Sequence, residues 1–300
     1  MSSTLVNELP PGFDYVRPGD LAGAVPILAA EGSNARALAG GTDLMVALRH
    51  GLAHADVVVD LKRVVELAPG IEESEGSLLI NANTPMTDIE RDETVRSRIP
   101  GLVESAQVVG SVQIRNRATL AGNVCNASPA ADTPPMLMAL GASLLVAGPD
   151  GERRVGIDDF WKGYRETVLR KGDVVRAVEI PLPGVREGTA FLKLGVRRAM
   201  EISIVCVGAR VALDGEGAIS GVGIGLGSVA PTTVRAASSE HLLIGEEPAP
   251  GLLAQAGAAA MEACSPIDDL RASADYRMAM IPVMVERALG LALQRAGAVP

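Results

Sequence analysis

The first 180 residues alternate between two hydrophobic rhythms. Phe13-Asp14-Tyr15-Val16, Ala35 to Leu38, Val57 to Leu61 and Leu78 to Asn81 are short apolar or β-branched runs, and they predict strands. Behind Asp20, a candidate N-cap, Leu21, Ala24, Val25 and Leu28 share one helical face, so a helix is expected through about Ala30. Pro26 lies too deep for a first-turn proline and predicts a bend or a later start. Thr42-Asp43 opens a second helix through about Arg49, with Gly51 as its C-cap. Thr87-Asp88-Ile89-Glu90 fits a capping box, and Ile99 to Val109 carries another apolar helical face. Pro134-Pro135 begins a helix containing Met136, Leu137, Met138 and Leu140. Ala142 to Ala147 and Arg153 to Val155 flank Pro149-Asp150-Gly151 as a hairpin. Asp158 is expected to cap a short helix with Trp161, and Val174 to Ile180 to form a strand ending at Pro181.

Pro181-Leu182-Pro183-Gly184 is the best linker candidate, and the pattern changes beyond it. Residues 190–195, 203–213 and the glycine-rich 218–228 read as strands, with a turn at Asp214-Gly215-Glu216-Gly217. Helices follow at about 235–243, 251–263 and 275–296. The expectation is an α+β protein of two domains, 1–182 (subdomains about 1–55 and 56–182) and 186–300.

One stretch fits neither rhythm. Residues 107–135, QVVGSVQIRNRATLAGNVCNASPAADTPP, offer little to pack a core helix but much to wrap a polar ligand. Arg115, Asn116, Arg117, Thr119, Gly122, Asn123, Asn126, Ser128 and Asp132 are interleaved with small residues that let a backbone approach a bound group. A long irregular connection that binds a ligand is the favoured reading; a loop satisfying only its own turns is the other. Ala39-Gly40-Gly41 between a strand and a helix start also suits an anion, although alone it reads more readily as an ordinary tight turn.

Composition narrows the function classes. The 300 residues are 48% hydrophobic and 21% charged, as in a soluble globular protein. Aromatics at 2% and a net charge of −9 leave no platform for nucleic acid. Cys125, Cys206 and Cys264 are far apart, so thiolates of this chain alone build no cluster or zinc site, and a reducing, cytoplasmic setting is expected. No signal peptide or membrane-inserting run is visible. His50, His54 and His241 lack ligand spacing, and no GxSxG, Walker or full GxGxxG motif occurs.

ATLAGNVCNASPAADTPPMLMALGA, with ALAGGTDLMVALRHG upstream at 37–51, resembles the FAD-binding medium subunits of molybdenum hydroxylases. That group includes the carbon monoxide dehydrogenase medium subunit and the xanthine dehydrogenase flavin domain. The resemblance implies a two-subdomain FAD-binding fold of the PCMH/vanillyl-alcohol-oxidase type, followed by a C-terminal domain of a three-stranded antiparallel sheet with helices. DLRASADYRMAMIPVMVERAL, 269–289, looks like that domain's terminal helix.

Matched residue by residue, the resemblance puts Ala39, Gly40, Gly41, Thr42 and Asp43 at the FAD diphosphate with Leu38 beside them; the acidic Asp43 side chain suits a ribose, a water or a neighbouring backbone N–H rather than a phosphate oxygen. It puts Thr119, Leu120, Ala121, Gly122 and Asn123 on the cofactor, with Val109 and Gly110 near the ring. Ala121 stands where glycine is common. Asp132 matches a flavin-contacting aspartate; it also reads as the N-cap of the following helix. Lys193, within FLKLGVRRAMEIS, aligns with a lysine beside the isoalloxazine ring, and a surface lysine on a strand is the alternative. Glu201 and Ile202 depart from the family's usual aspartate and occasional aromatic. Arg115 and Arg117 alternate along a segment expected to be extended, offsetting diphosphate charge or forming salt bridges; Arg197 and Arg198 are candidates to pair with Glu201 or with a partner's acids.

The function implied is an electron-transfer subunit with no acid–base catalyst of its own. A large subunit would carry a molybdopterin-type molybdenum cofactor, and a small subunit two 2Fe–2S clusters. Electrons would pass through FAD to NAD+, a quinone or dioxygen, in a dimer of three-subunit units. A stand-alone flavin oxidase or reductase, or a non-catalytic nucleotide-binding scaffold, are the other readings.

Overall fold

The computed structural model describes residues 12–197 and 199–298. Three short strands, β1 (Asp14–Val16), β2 (Ala35–Leu38) and β3 (Val57–Asp60), form a parallel sheet in the order β1-β3-β2. Helix α1 (Leu21–Ala29) joins the first two and α2 (Leu44–Arg49) the last two. Asp20 caps α1 by accepting from the Gly23 N–H at 2.7 Å, and Pro26 lies inside the helix. Because β3 pairs between β1 and β2, the first subdomain runs past residue 55 and takes in the strand expected in the second. A parallel strand needs a crossover, and α2 supplies it. Leu38 and Asp60 lie side by side where β2 and β3 end, so the Ala39-Gly40-Gly41 turn leaves the carboxyl edge of a parallel sheet.

A five-stranded antiparallel sheet follows, ordered β4-β5-β10-β6-β7. It comprises β4 (Ile71–Ser74), β5 (Ser77–Asn81), β6 (Ser143–Gly148), β7 (Gly151–Gly156) and β10 (Val174–Pro181). The short hairpin β8 (Trp161–Gly163) and β9 (Glu166–Thr167) stands off it. Trp161 is therefore on a strand; the expected Asp158-capped helix shrinks to a single 3₁₀ turn at Ile157–Asp159. Between β5 and β6 lie α3 (Met86–Arg91), α4 (Glu93–Arg98), α5 (Pro100–Gln107), α6 (Val112–Arg115), α7 (Leu120–Cys125) and α8 (Thr133–Leu140).

Two expectations for this region are corrected. The capping box at Thr87 is not formed: α3 starts at Met86 behind Pro85, and the Thr87 hydroxyl donates to Asn116 Oδ1 at 2.8 Å. Nor is 107–135 an irregular loop, since α6, α7 and the start of α8 run through it. Leu120, Ala121 and Val124 of α7 are buried in the main core, an i, i+1, i+4 face made from small apolar residues among polar ones.

The C-terminal domain is an antiparallel sheet of β11 (Glu187–Leu194), β12 (Val205–Leu213) and β13 (Ile219–Gly227), with a two-residue fourth strand, β14 (Val234–Arg235), at its edge. Three helices back it: α9 (Ala237–Leu243), α10 (Pro250–Ala259) and α11 (Ala274–Ala296). Arg277, buried in α11, donates to the carbonyls of Ile204 at 2.6 Å and Ser228 at 3.1 Å, tying the helix to the ends of β12 and β13. Among the described residues no helix is long and apolar enough to cross a membrane.

The glycines of the sheet explain how the halves meet. Gly208 of β12 and Gly223 and Gly225 of β13 turn one face toward α8 of the first domain. A methyl group at Gly223 would sit 2.0 Å from the Ala139 carbonyl oxygen, and one at Gly225 would sit 2.1 Å from that of Pro135. Helix backbone lies directly on sheet backbone there, a contact only glycine permits. Alongside, α5 meets β11: Glu104 accepts from the Phe191 N–H at 2.9 Å, and Arg295 Nη1 donates to Glu104 at 3.1 Å and to the Thr189 carbonyl at 2.7 Å.

Candidate functional site

The two glycine-bearing segments singled out in the sequence, 78 residues apart at Gly40 and Ala118, touch in the fold. A Cβ at Gly40 would lie 2.0 Å from the Arg117 carbonyl oxygen and 3.0 Å from the Ala118 Cα. The second segment is fixed beneath: the Met86 N–H donates to the Ala118 carbonyl at 2.8 Å, and Pro85 bridges Thr119. Thr119 then caps α7 through its hydroxyl, which accepts from the Gly122 N–H at 3.0 Å.

The turn after β2 is built to offer donors. Gly41 has φ +78°, and Asp43 precedes α2 without a side-chain cap. Among the described residues, the N–H groups of Gly40, Gly41, Thr42 and Asp43 meet no acceptor. Successive free donors at a glycine turn ahead of a helix suit an anion. Lys62 stands beside it: its ammonium is 2.6 Å from the buried Asp60 carboxylate and 3.4 Å from the Ala39 carbonyl oxygen. Tyr15 also donates to Asp60, and these donors outweigh burial to hold its carboxyl below the usual 3.8.

At the other end of the site, α7 connects to α8 by the Thr133 hydroxyl, which donates to Asn123 Oδ1 at 2.6 Å. Asp132 is next to it. The expected N-cap is not made, because both carboxylate oxygens of Asp132 face the second domain instead. Lys193 Nζ lies 2.9 Å from Oδ2, and the Ser203 hydroxyl donates to Oδ1 at 2.8 Å. Lys193 also donates to the Glu201 carbonyl at 2.8 Å, so it is a partnered, nearly enclosed cation rather than a surface lysine. Burial pushes the Asp132 carboxyl up, and the Lys193 charge opposes that shift. The 196–203 segment is anchored to the first domain where the Met200 N–H donates to the Gly110 carbonyl at 3.2 Å.

The expected site residues offer different atoms. The side chains of Leu38, Val109, Leu120 and Ala121 are buried, which leaves their backbone to meet a ligand. Ala121 lies within α7, and no positive φ is asked of it. Gly110 does adopt φ +54°. Arg115 ends the helix α6 rather than running along an extended strand, and it is taken by Glu90. Arg197 pairs with Glu201 at 3.0 Å; Arg198 lies outside the described residues. Lys62, Ser203, and Tyr164-Arg165 at the β8–β9 tip were not singled out from sequence. Only Arg165, a non-glycine with φ +55°, has an unusual backbone, and sequence does not show that.

The residues present fit a dinucleotide with a diphosphate. The Gly40–Asp43 donors match its charged middle.

Comparison with known proteins agrees. Residues 11–183 match the model of the FAD binding domain in molybdopterin dehydrogenase, and residues 190–292 that of the CO dehydrogenase flavoprotein C-terminal domain. The chain is 33% identical to the carbon monoxide dehydrogenase medium chain of Hydrogenophaga pseudoflava, over 96% of this chain and 99% of that one. It is 30% identical to the xanthine dehydrogenase FAD-binding subunit of Escherichia coli O157:H7, covering 94% and 97%. Among solved structures, the Hydrogenophaga pseudoflava carbon monoxide dehydrogenase superposes with a TM-score of 0.92 at 33% identity, covering 96% and 99%. Quinoline 2-oxidoreductase from Pseudomonas putida 86 gives 0.89 at 30% identity, covering 97% and 100%.

Proposed function

Since the chain belongs to the FAD-binding medium subunits of molybdenum hydroxylases, an oxidoreductase flavoprotein component, we propose that it carries electrons between an iron–sulfur subunit and a terminal acceptor. The observation that carries the site assignment is the row of free N–H groups from Gly40 to Asp43, packed on Arg117-Ala118. Gly40, Gly41, Thr42 and Asp43 hold the diphosphate, and Thr119, Gly122 and Asn123 line the path beyond it. The backbone at Ala39, Val109, Gly110, Leu120 and Ala121 completes the walls. Bound FAD supplies the exchange of electrons, for which no side chain of this protein is a substitute.

The protein's own groups position and polarise. Asp132 orients Lys193, and the ammonium places a fixed positive charge near the end of the path, where it favours a reduced, anionic ring. Ile202, half-exposed beside this pair, offers a small aliphatic cover. We place the domain boundary in residues 182–186, between β10 and β11. The partners are a large subunit with a molybdopterin-type molybdenum cofactor and a small subunit with two 2Fe–2S clusters; the acceptor is NAD+, a quinone or dioxygen.

Co-purification tests this. Expressed with both neighbouring subunits, the chain is expected in one complex with equimolar FAD, bleached by the complex's substrate. A complex that forms without flavin contradicts it.

A further inference from the structure

The cleft has a third side that neither motif supplies. The β8–β9 hairpin lies against the end of α7, held by Trp161 Nε1 donating to the Val124 carbonyl at 3.2 Å and by the Arg165 N–H donating to the Ala127 carbonyl at 3.1 Å. Its root is rigid: Phe160 is fully buried and meets Trp161 edge-on at 5.6 Å. The tip is strained, with Arg165 at φ +55°, a conformation a side chain with a Cβ seldom adopts unless its surroundings impose it.

That geometry sets a guanidinium beside the second motif. Arg165 Nη1 is 3.4 Å from Asn126 Oδ1, just past the second motif, and Nε is 3.4 Å from the Tyr164 hydroxyl. Both contacts are long, and the group lies over the Tyr164 ring at 5.8 Å. The residue is exposed, and among the described residues three of its five N–H donors meet no acceptor and no carboxylate comes within ion-pair reach. Asp43 of the first motif is within reach of the Arg165 charge: burial raises the Asp43 carboxyl and Arg165 draws it back. In an acidic chain of net charge −9, an exposed planar cation with no carboxylate beside it is available to an anion.

We infer that Arg165 is a phosphate-binding residue, closing on the diphosphate of the dinucleotide held by Gly40–Asp43. It thereby joins the two motifs and sets a preference for FAD over flavins without a diphosphate. This rests on the FAD reading above. Guanidinium and phosphate match as paired donors and acceptors, which an ammonium cannot reproduce.

The test is a fluorescence titration of the full-length apo-chain, alone or in its complex, with FAD and with riboflavin, which has no phosphate. Arg165→Ala is expected to weaken FAD about tenfold or more, in line with the loss of charge-assisted hydrogen bonds, and to leave riboflavin unchanged. Arg165→Lys is expected to fall between, and the unfolding midpoint of the apo-protein to stay put. Unchanged FAD affinity in Arg165→Ala overturns the inference, as does an equal loss for FAD and riboflavin. A wild-type protein that takes up no FAD in either form removes the FAD reading itself, which is a different result.

Discussion

Lys193 Nζ stands 2.9 Å from Asp132 Oδ2, and this contact places a cation from the second domain on an aspartate of the first domain's second motif. The side chains are 10% and 9% exposed, so neither charge is well hydrated and each depends on the other. Removing one partner is expected to destabilise the chain by about 3–5 kcal/mol, because a buried charge is left alone. Asp132→Asn with Lys193→Met together should recover part of that loss. Thermal unfolding of the two single variants and the double variant measures it.

The packing of Gly40 on Arg117 links the motifs without any side chain. In Gly40→Ala the new methyl meets a carbonyl oxygen at a position 2.0 Å away, so the turn must move off the second motif. FAD uptake is expected to drop while the domain interface, far along α8, holds. Flavin content together with circular dichroism of the purified variant checks both halves of that statement.

The converse substitution tests the interface. Gly225→Ala brings a methyl to 2.1 Å from the Pro135 carbonyl oxygen and should separate α8 from the sheet. Because Asp132 and Lys193 meet across the same interface, stability and flavin binding are expected to fall together. Limited proteolysis should then cut in the 182–186 connection, where wild type resists.

Acid should act through Asp269. Desolvation is the largest single effect on its carboxyl and raises it, but its bonds to the N–H groups of Arg271 and Ala272 and to the Arg271 side chain, with the Arg277 charge, together outweigh that and bring its pKa from 3.8 down to about 2. A carboxyl depressed in the folded state contributes stability that is complete above its unfolded value and is lost as pH falls toward the folded one. Unfolding midpoints measured from pH 5 down to about 2 should therefore decline less steeply in Asp269→Asn than in wild type.

The three thiols are expected to be inert. Burial pushes Cys125, Cys206 and Cys264 each up to about 12, leaving almost no thiolate at pH 8. A disulfide reagent should label none of them in the native protein within minutes, and all three in denaturant.

The hairpin at 149–151, the α1 cap at Asp20 and the long α11 were legible because each rests on neighbouring residues. The family was legible in 107–135, through its motif, but the shape of the stretch was not: α7 has six residues and too few apolar positions to show a period. The fate of Asp132 was beyond local reading. An aspartate before Thr-Pro-Pro has the pattern of an N-cap, and only the fold brings Lys193 and Ser203 from 61 and 71 residues away to take its oxygens instead. Lys62 and Arg165 escaped for the same reason: each lies on an unremarkable sequence and becomes significant only beside a turn formed elsewhere. The glycines of β13 were visible as composition, and their purpose appears only against the α8 backbone.

The central claim is that FAD lies across the two motifs, and the most direct measurement is the visible absorption spectrum of the full chain, alone and in its complex, before and after FAD is added. Wild type is expected to show bands near ~370 and ~450 nm that bleach on reduction. A Gly122→Trp variant, which fills the mouth of the second motif, should fold and lack them. A complex with no flavin bands, or a Gly122→Trp protein that binds FAD as wild type does, contradicts the claim.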